Sequence, residues 1–243
     1  MRETERVLAT MKEKRGVAML IDPDKYDSGL VSRLVGSGLL PTVFLVGGSI
    51  VLGDTREVVR DIKRQSTTPV VLFPGDNQQL TEEADGLLLL SLISGRNAEY
   101  LISQHVRAAH RIAKMDIEVI STGYMLIDGG KRTSVEYISG TTPIPADKVD
   151  IAAATALAGR LLGMKAIYLE AGSGAKQAVS SEMIKAVRES IGDMLLIVGG
   201  GLRTVEEVSR VMEAGADIAV IGTVAEQNSE AAAEILRYNK TGR

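Results

Sequence analysis

The sequence predicts an α/β fold, a single (β/α)8 TIM barrel with an introductory N-terminal helix, spanning residues 1–243 as one domain. Three observations predict it. Eight short apolar, β-favouring runs alternate with helical patterns, and no break in composition separates them. The length, 243 residues, is long for a typical domain but normal for one such barrel. The last three strand–helix units also share one ending. Tyr168-Leu169-Glu170-Ala171-Gly172-Ser173-Gly174 is answered by Val198-Gly199-Gly200-Gly201 and by Ile221-Gly222-Thr223. Small residues after a strand let backbone N–H groups turn toward one point, and a helix N-terminus adds partial positive charge there, so the three turns are a candidate phosphate cradle. A doubly wound open sheet is the competing architecture, but it needs a switch point that the strand succession does not offer.

Val7, Leu8 and Met11 mark the introductory helix, which Gly16 ends. Strand one is Val17 to Ile21, stopped by Asp22-Pro23-Asp24-Lys25. Asp27 or Ser28 caps a helix carrying Leu30, Val31, Leu34 and Val35, with Gly36 and Gly38 as terminators. Strand two is Thr42 to Val46, followed by Gly47-Gly48-Ser49, and the next helix starts near Asp54 with Glu57 at capping-box spacing. Strand three is Pro69 to Phe73, leaving through Pro74-Gly75-Asp76, and a short helix near Leu80 leads to strand four, Gly86 to Leu90. The longest helical pattern is Asn97 to Lys114, and strand five is Ile117 to Ser121. From Thr122 to Pro145 the glycines and prolines make a stretch too long and irregular for an ordinary connection, which suits a lid or substrate wall as well as a solvated excursion. An alanine-rich helix, Val149 to Leu162, restores the rhythm. Strands six, seven and eight are Lys165 to Leu169, Leu195 to Val198 and Ile218 to Ile221; Thr204 with Glu207 and Thr223 with Glu226 make further capping boxes.

Composition excludes several classes. The net charge of −3 and the lack of any long Lys/Arg run exclude a nucleic-acid groove, so no nucleic-acid partner is expected. There is no cysteine, hence no disulfide framework, thiolate metal site or cysteine nucleophile. The charged start, Met1 to Arg6, is unlike a secretory signal, and no apolar run approaches the roughly 20 residues that cross a bilayer. A soluble, cytoplasmic protein is expected. His105 and His110, the only histidines, fall inside the long helix and are read as surface or helix–helix positions. Gly172-Ser173-Gly174 lacks the nucleophile-elbow spacing, and Gly199-Gly200-Gly201 lacks the dinucleotide pattern.

Polar residues just after barrel strands face the side where barrel active sites form. Asp22, with a serine hydroxyl at Ser49, suits an oxygen-ligated Mg²⁺ shared with phosphate oxygens, and it suits a turn or helix cap equally. Glu170, beside the cradle, is costly as a bare carboxylate, so it either accepts a substrate hydroxyl and takes its proton or pairs with a nearby Lys or Arg. Thr223 can cap the last helix where a phosphate would also sit.

The motifs Ile21-Asp22-Pro23-Asp24-Lys25, Val46-Gly47-Gly48-Ser49, Gly123-Tyr124, Tyr168-Leu169-Glu170, Gly199-Gly200-Gly201 and Ile221-Gly222-Thr223, in this order along the whole chain, resemble the geranylgeranylglyceryl phosphate synthase family, in its larger-size group. The resemblance implies Mg²⁺-dependent prenyl transfer to the 3-hydroxyl of sn-glycerol 1-phosphate, with release of diphosphate, in membrane ether-lipid biosynthesis. Geranylgeranyl diphosphate is the foremost donor it implies. It places metal ligation on Asp22 and Ser49. Glycerol phosphate binding falls on Tyr168, Leu169, Glu170, Ala171, Gly172, Ser173 and Gly174, on Gly199 and Gly200, and on Gly222 and Thr223. Glu170 would be the catalytic base. Two departures stand out. Leu20 occupies a position where some relatives carry lysine, which leaves Lys25 or Arg203 to supply the phosphate charge. The stretch after Gly123-Tyr124 also lacks an Asn-Pro found in relatives.

For the prenyl chain the expected walls are Phe73, Leu92, Ile93, Tyr124, Met125, Leu126 and Tyr137, with Tyr124 at the mouth. A homo-oligomer is expected from the small residues of Ile151 to Ala158, and a peripheral membrane contact would serve product release. Two other readings keep the phosphate site: a sugar-phosphate isomerase or lyase, and a non-catalytic phosphate-binding barrel.

Overall fold

Why the chain closes on itself is visible in the strand sequences, which are apolar on both faces. In the computed structural model, which describes residues 6–241, eight parallel strands pair in chain order and β8 returns to β1. The strands are β1 (Gly16–Ile21), β2 (Val43–Val46), β3 (Val70–Leu72), β4 (Gly86–Leu92), β5 (Glu118–Leu126), β6 (Ala166–Glu170), β7 (Leu195–Gly199) and β8 (Ile218–Ile221). The helices are α1 (Arg6–Lys14), α2 (Ser28–Ser37), α3 (Thr55–Gln65), α4 (Gln104–Ile112), α5 (Ser134–Ser139), α6 (Val149–Leu161), α7 (Ser181–Ile191), α8 (Val205–Glu213), α9 (Thr223–Gln227) and α10 (Ser229–Thr241). Met1 to Glu5, most of the charged N-terminal stretch, lie outside the described residues.

Alternation along each strand splits the apolar side chains into two cores. Ala18, Leu45, Val71, Leu88, Ile120, Tyr168, Ile197 and Val220 fill the barrel interior, while Met19, Phe44, Leu72, Leu87, Leu169, Val198 and Ile221 pack against the surrounding helices. Helix α1 plugs the N-terminal end with Val7, Leu8 and Met11. Its first turn is capped from inside the barrel, where the buried Glu118 carboxylate accepts from the Val7 N–H at 2.6 Å and the Leu8 N–H at 3.1 Å. A carboxylate at a helix N-terminus satisfies orphan donors and complements the dipole, so this end of the barrel is sealed.

The structure corrects several boundaries. β5 runs on to Leu126, pairing Ser91 with Gly123 and Leu92 with Tyr124 on one side and Tyr124 with Tyr168 on the other. Tyr124 is therefore inside a strand rather than at the start of an irregular stretch. The connection from β5 to α6 is organised by an Ile127–Ile144 bridge and by α5, capped by Thr133 and ended by Gly140 in the left-handed region. The expected helix over 97–114 opens as a π-turn, Glu99–Ser103, before α4. The short helix near Leu80 is a 3-10 turn, Asn77–Gln79. Gly36 lies within α2, and Gly38 (φ 65°) ends it. Thr204 and Glu207 form a full capping box, whereas Asp54 caps α3 by its own side chain. Thr223 caps nothing: Gly222 holds the cap position and Thr223 is the first residue of α9.

Candidate active site

The three glycine turns meet at the C-terminal end of the barrel. Gly172 (φ 98°) and Gly200 (φ 85°) adopt backbone that L-residues rarely reach. A Cβ added to Gly200 would lie 2.6 Å from both Glu170 Oε1 and the Gly172 nitrogen and 2.8 Å from the Ala171 nitrogen. Ser173 Oγ and Thr223 Oγ1, 3.3 Å apart, link the turns after β6 and β8. Arg203 ties the turns after β6 and β7 together, donating to the carbonyls of Ala175 and Gly201. The structure thus brings Tyr168, Glu170, Gly172, Ser173, Gly174, Gly200, Gly222 and Thr223 to one cavity. Gly199 backs Tyr168 and Glu170, and its own Cβ would clash with the Tyr168 hydroxyl at 2.5 Å. Leu169 and Ala171 turn their side chains into the helix-facing core, so only their backbone is available to a ligand.

Glu170 is the buried carboxylate of this arrangement. Its carboxylate is buried at the end of β6 and accepts from the Gly172 N–H at 2.6 Å. Burial lifts its pKa from 4.5 to about 7, against the pull of that N–H and of the Tyr168 hydroxyl beside it. No lysine or arginine pairs with it among the described residues, which removes the structural ion-pair reading. The Tyr168 hydroxyl is also buried, and has no hydrogen-bond partner of normal geometry among the described residues. Burial first, and then the nearby Glu170, push its pKa well up, so it stays a neutral donor.

Asp22 lies just beyond β1 and takes the turn role. Its Oδ1 caps the 3-10 turn Pro23–Lys25 by accepting from the Asp24 N–H at 3.1 Å, while Oδ2 lies 3.3 Å from the Lys25 ammonium. Glu226 Oε2, in α9, is 3.2 Å from the same ammonium. Burial lowers the Lys25 pKa, and Glu226 and Asp22 outweigh it, leaving the value raised. Asp24 points elsewhere, accepting from Leu52 and Gly53 N–H groups. Ser49 lines the same cavity as Asp22, on a loop that Gln79 grips through Gly48. Among the described residues no group of three His, Cys, Asp or Glu could hold a metal. One carboxylate and one hydroxyl would be the protein donors to an Mg²⁺ that takes the rest of its shell from phosphate and water, so Asp22 and Ser49 fit such an ion by their chemistry.

Next to this polar cavity runs an apolar groove, entered past Phe73 and Tyr124 and continuing between β4 and α4. The Phe73, Tyr124 and Tyr168 rings pack mutually with centroids 5.2–5.9 Å apart. Gly48, Ser49, Phe73, Tyr124, Val135 and Ile138 line both spaces, so the groove and the cradle are joined. Of the walls expected for a prenyl chain, Phe73, Leu92 and Tyr124 line this groove. Met125 is packed against helices, Leu126 is in the barrel interior, and Ile93 lies against Gly123 and Gly159; none of the three reaches the groove. Tyr137 is exposed under the Arg132 guanidinium. Missing from the expectation were Leu87, Leu89, Tyr100, His105, Ala108 and Ile112. His110 is exposed, but His105 faces inward, its Nε2 3.1 Å from Ser91 Oγ, and burial lowers its pKa.

Comparison with known proteins is consistent in sequence and in fold. A family model described as the PcrB family matches residues 9–239. A protein of Spirosoma linguale named geranylgeranylglyceryl phosphate synthase is 48% identical over 220 residues, covering 89% of this chain and 88% of that one. One of the same name from Korarchaeum cryptofilum is 39% identical over 239 residues, covering 97% and 94%. The crystal structure of (S)-3-O-geranylgeranylglyceryl phosphate synthase from Thermoplasma acidophilum in complex with its substrate sn-glycerol-1-phosphate superposes with a TM-score of 0.88 at 30% identity, covering 99% of both chains.

Proposed function

The chain belongs to the PcrB family, and from that premise we propose that it is a prenyltransferase of ether-lipid synthesis. It joins the 3-hydroxyl of sn-glycerol 1-phosphate to C1 of a long-chain prenyl diphosphate, geranylgeranyl diphosphate foremost, and releases diphosphate. The observation that carries this reading is the junction at Ser49, Phe73 and Tyr124, where a polar, glycine-lined cavity opens into an apolar groove. A phosphate substrate and a hydrocarbon chain can meet there with their reactive ends together. A sugar-phosphate isomerase or lyase has no use for that groove, and neither has a phosphate-binding barrel without a reaction.

The residues divide the work. N–H groups of the turns after β6, β7 and β8 hold the glycerol phosphate, and Arg203 keeps two of those turns in register. The substrate hydroxyl donates to Glu170, which receives its proton as the oxygen bonds to C1 and the bond from C1 to the diphosphate oxygen breaks. A carboxylate with a pKa of about 7 is ionised in half its copies at neutral pH, and still basic enough to accept that proton. Asp22 and Ser49 would hold Mg²⁺, which when bound neutralises charge on the leaving diphosphate. The apolar rings at the junction keep water away from C1. The product is amphipathic, and a peripheral membrane contact for its release belongs to the same reading.

Product analysis tests it. Incubation with labelled sn-glycerol 1-phosphate, Mg²⁺ and prenyl diphosphates of several lengths should yield a labelled, organic-extractable ether. Isomerised or cleaved phosphate products, or no product at any length, would defeat the reading.

A further inference from the structure

Among the described residues, the polar cavity is lined by three carboxylates, Asp22, Glu170 and Glu226, and by two cations, Lys25 and Arg203. A diphosphate entering it is a polyanion and needs positive partners beyond one divalent ion. By sequence Lys25 and Arg203 are equal candidates for supplying phosphate charge. The structure separates them. Arg203 already donates to two backbone carbonyls, those of Ala175 and Gly201, and holds the turns together by doing so.

Lys25 is placed differently. Its ammonium carries three donors and lies 3.3 Å from Asp22 Oδ2 and 3.2 Å from Glu226 Oε2. Its side chain is 56% exposed, so the ammonium can change partners at little cost. Asp22 is anchored by its cap on the Asp24 N–H, and Glu226 stands on α9, one turn after Thr223. The cation is thus held between the candidate metal carboxylate and the helix that begins at the cradle. Mg²⁺ and an ammonium on one carboxylate oxygen repel each other, so a ligand that draws Lys25 away frees Asp22.

We propose that Lys25 is the cation of the diphosphate subsite, held ready by Glu226 and transferred from Asp22 to the diphosphate oxygens as that group arrives. The assignment rests on the prenyl-diphosphate reading given above. Lys25 is then a binding residue for the leaving group, and Glu226 is a positioning residue.

Titration calorimetry on the full chain tests this, with inorganic diphosphate plus Mg²⁺ in one series and sn-glycerol 1-phosphate in another. Lys25→Met should weaken diphosphate binding by roughly 10- to 100-fold, the scale of a hydrogen bond to a charged group. Glycerol phosphate affinity should stay within about twofold of wild type, because the cradle is built of backbone N–H groups. Lys25→Arg should restore most of the diphosphate affinity, and Glu226→Gln should lose part of it. Unchanged diphosphate affinity in Lys25→Met, or equal weakening of both ligands, overturns the assignment. If Lys25→Met fails to melt cooperatively, Glu226→Gln decides, and wild-type diphosphate affinity there overturns it. A wild-type protein that binds glycerol phosphate but no diphosphate defeats the prenyl-diphosphate reading itself, a result distinct from a failure of Lys25 alone.

Discussion

Glu170 is kept where the solvent cannot stabilise its charge, and that placement sets its cost and its use. Its pKa in the fold is about 7, against 4.5 for the free side chain. The folded state therefore favours the protonated form. Below the unfolded value there is no penalty; between about 4.5 and 7 the penalty grows, and above 7 it is complete, on the order of 3 kcal/mol. Glu170→Gln keeps the shape and the acceptor for the Gly172 N–H while removing the charge. It should melt higher than wild type at pH 8, with the gap closing toward pH 4, while kcat falls by about 10²–10⁴. Wild-type kcat/KM should climb as pH rises through about 7, and that limb should be missing from the variant. A structural Glu170 would show the reverse, lower melting with an unchanged rate per folded molecule, and parallel melts and pH–rate profiles tell the two apart.

At the scale of elements, the β6, β7 and β8 turns and the β4–α4 seam differ in how far the sequence discloses them. The turns are legible because their conformation demands a residue type: Gly172 and Gly200 sit at positive φ, and the letters record it. Gly200→Ala should fill the space beside Glu170 and the Ala171 and Gly172 nitrogens, lowering glycerol phosphate affinity by roughly 10-fold or more. Near-normal affinity by titration would remove those N–H groups from the site. The groove is less legible, because Leu87 to Leu90 is apolar on both faces of β4 whether or not a groove lies behind it. Tyr124 is readable as a wall but not as a strand residue, since Gly123 looks like a strand end and is kept in β5 by pairing with Ser91. The inward turn of His105 depends on the π-turn before α4, which shifts the helical phase and leaves no mark in the apolar pattern. Ala108, small and buried on α4, lines the groove opposite β4. Ala108→Phe should block its far part, lowering kcat/KM for long prenyl diphosphates while sparing short ones. Equal effects on all lengths would mean that the chain lies elsewhere.

At the scale of the whole molecule, the apolar surface outside the barrel calls for an account. By sequence the alanine-rich α6 offers small residues on every side. The structure divides it: Ala152, Ala156 and Gly159 pack inward at helical spacing, and Ile151, Leu157 and Leu161, with Leu162 just past the helix end, face out. Leu161 and Leu162 are 79% and 75% exposed, and Ile102 and Val106, on the π-turn and α4, are exposed as well. Scattered exposed leucines are ordinary, whereas several on one helix need a partner or cost solubility. A second copy of the chain satisfies that need most simply, because closed homo-oligomers are the commonest assemblies. Such an interface would use the barrel's outer ring and leave the site at the C-terminal end open to substrate. Light scattering at micromolar concentration should therefore give a multiple of the 25.9 kDa chain mass. Leu157→Asp with Leu161→Asp should return it to one chain while keeping the barrel folded, because both side chains are exposed and neither packs in the described cores. A wild-type mass of one chain would rule out association, and an oligomer indifferent to the double substitution would move the interface off α6.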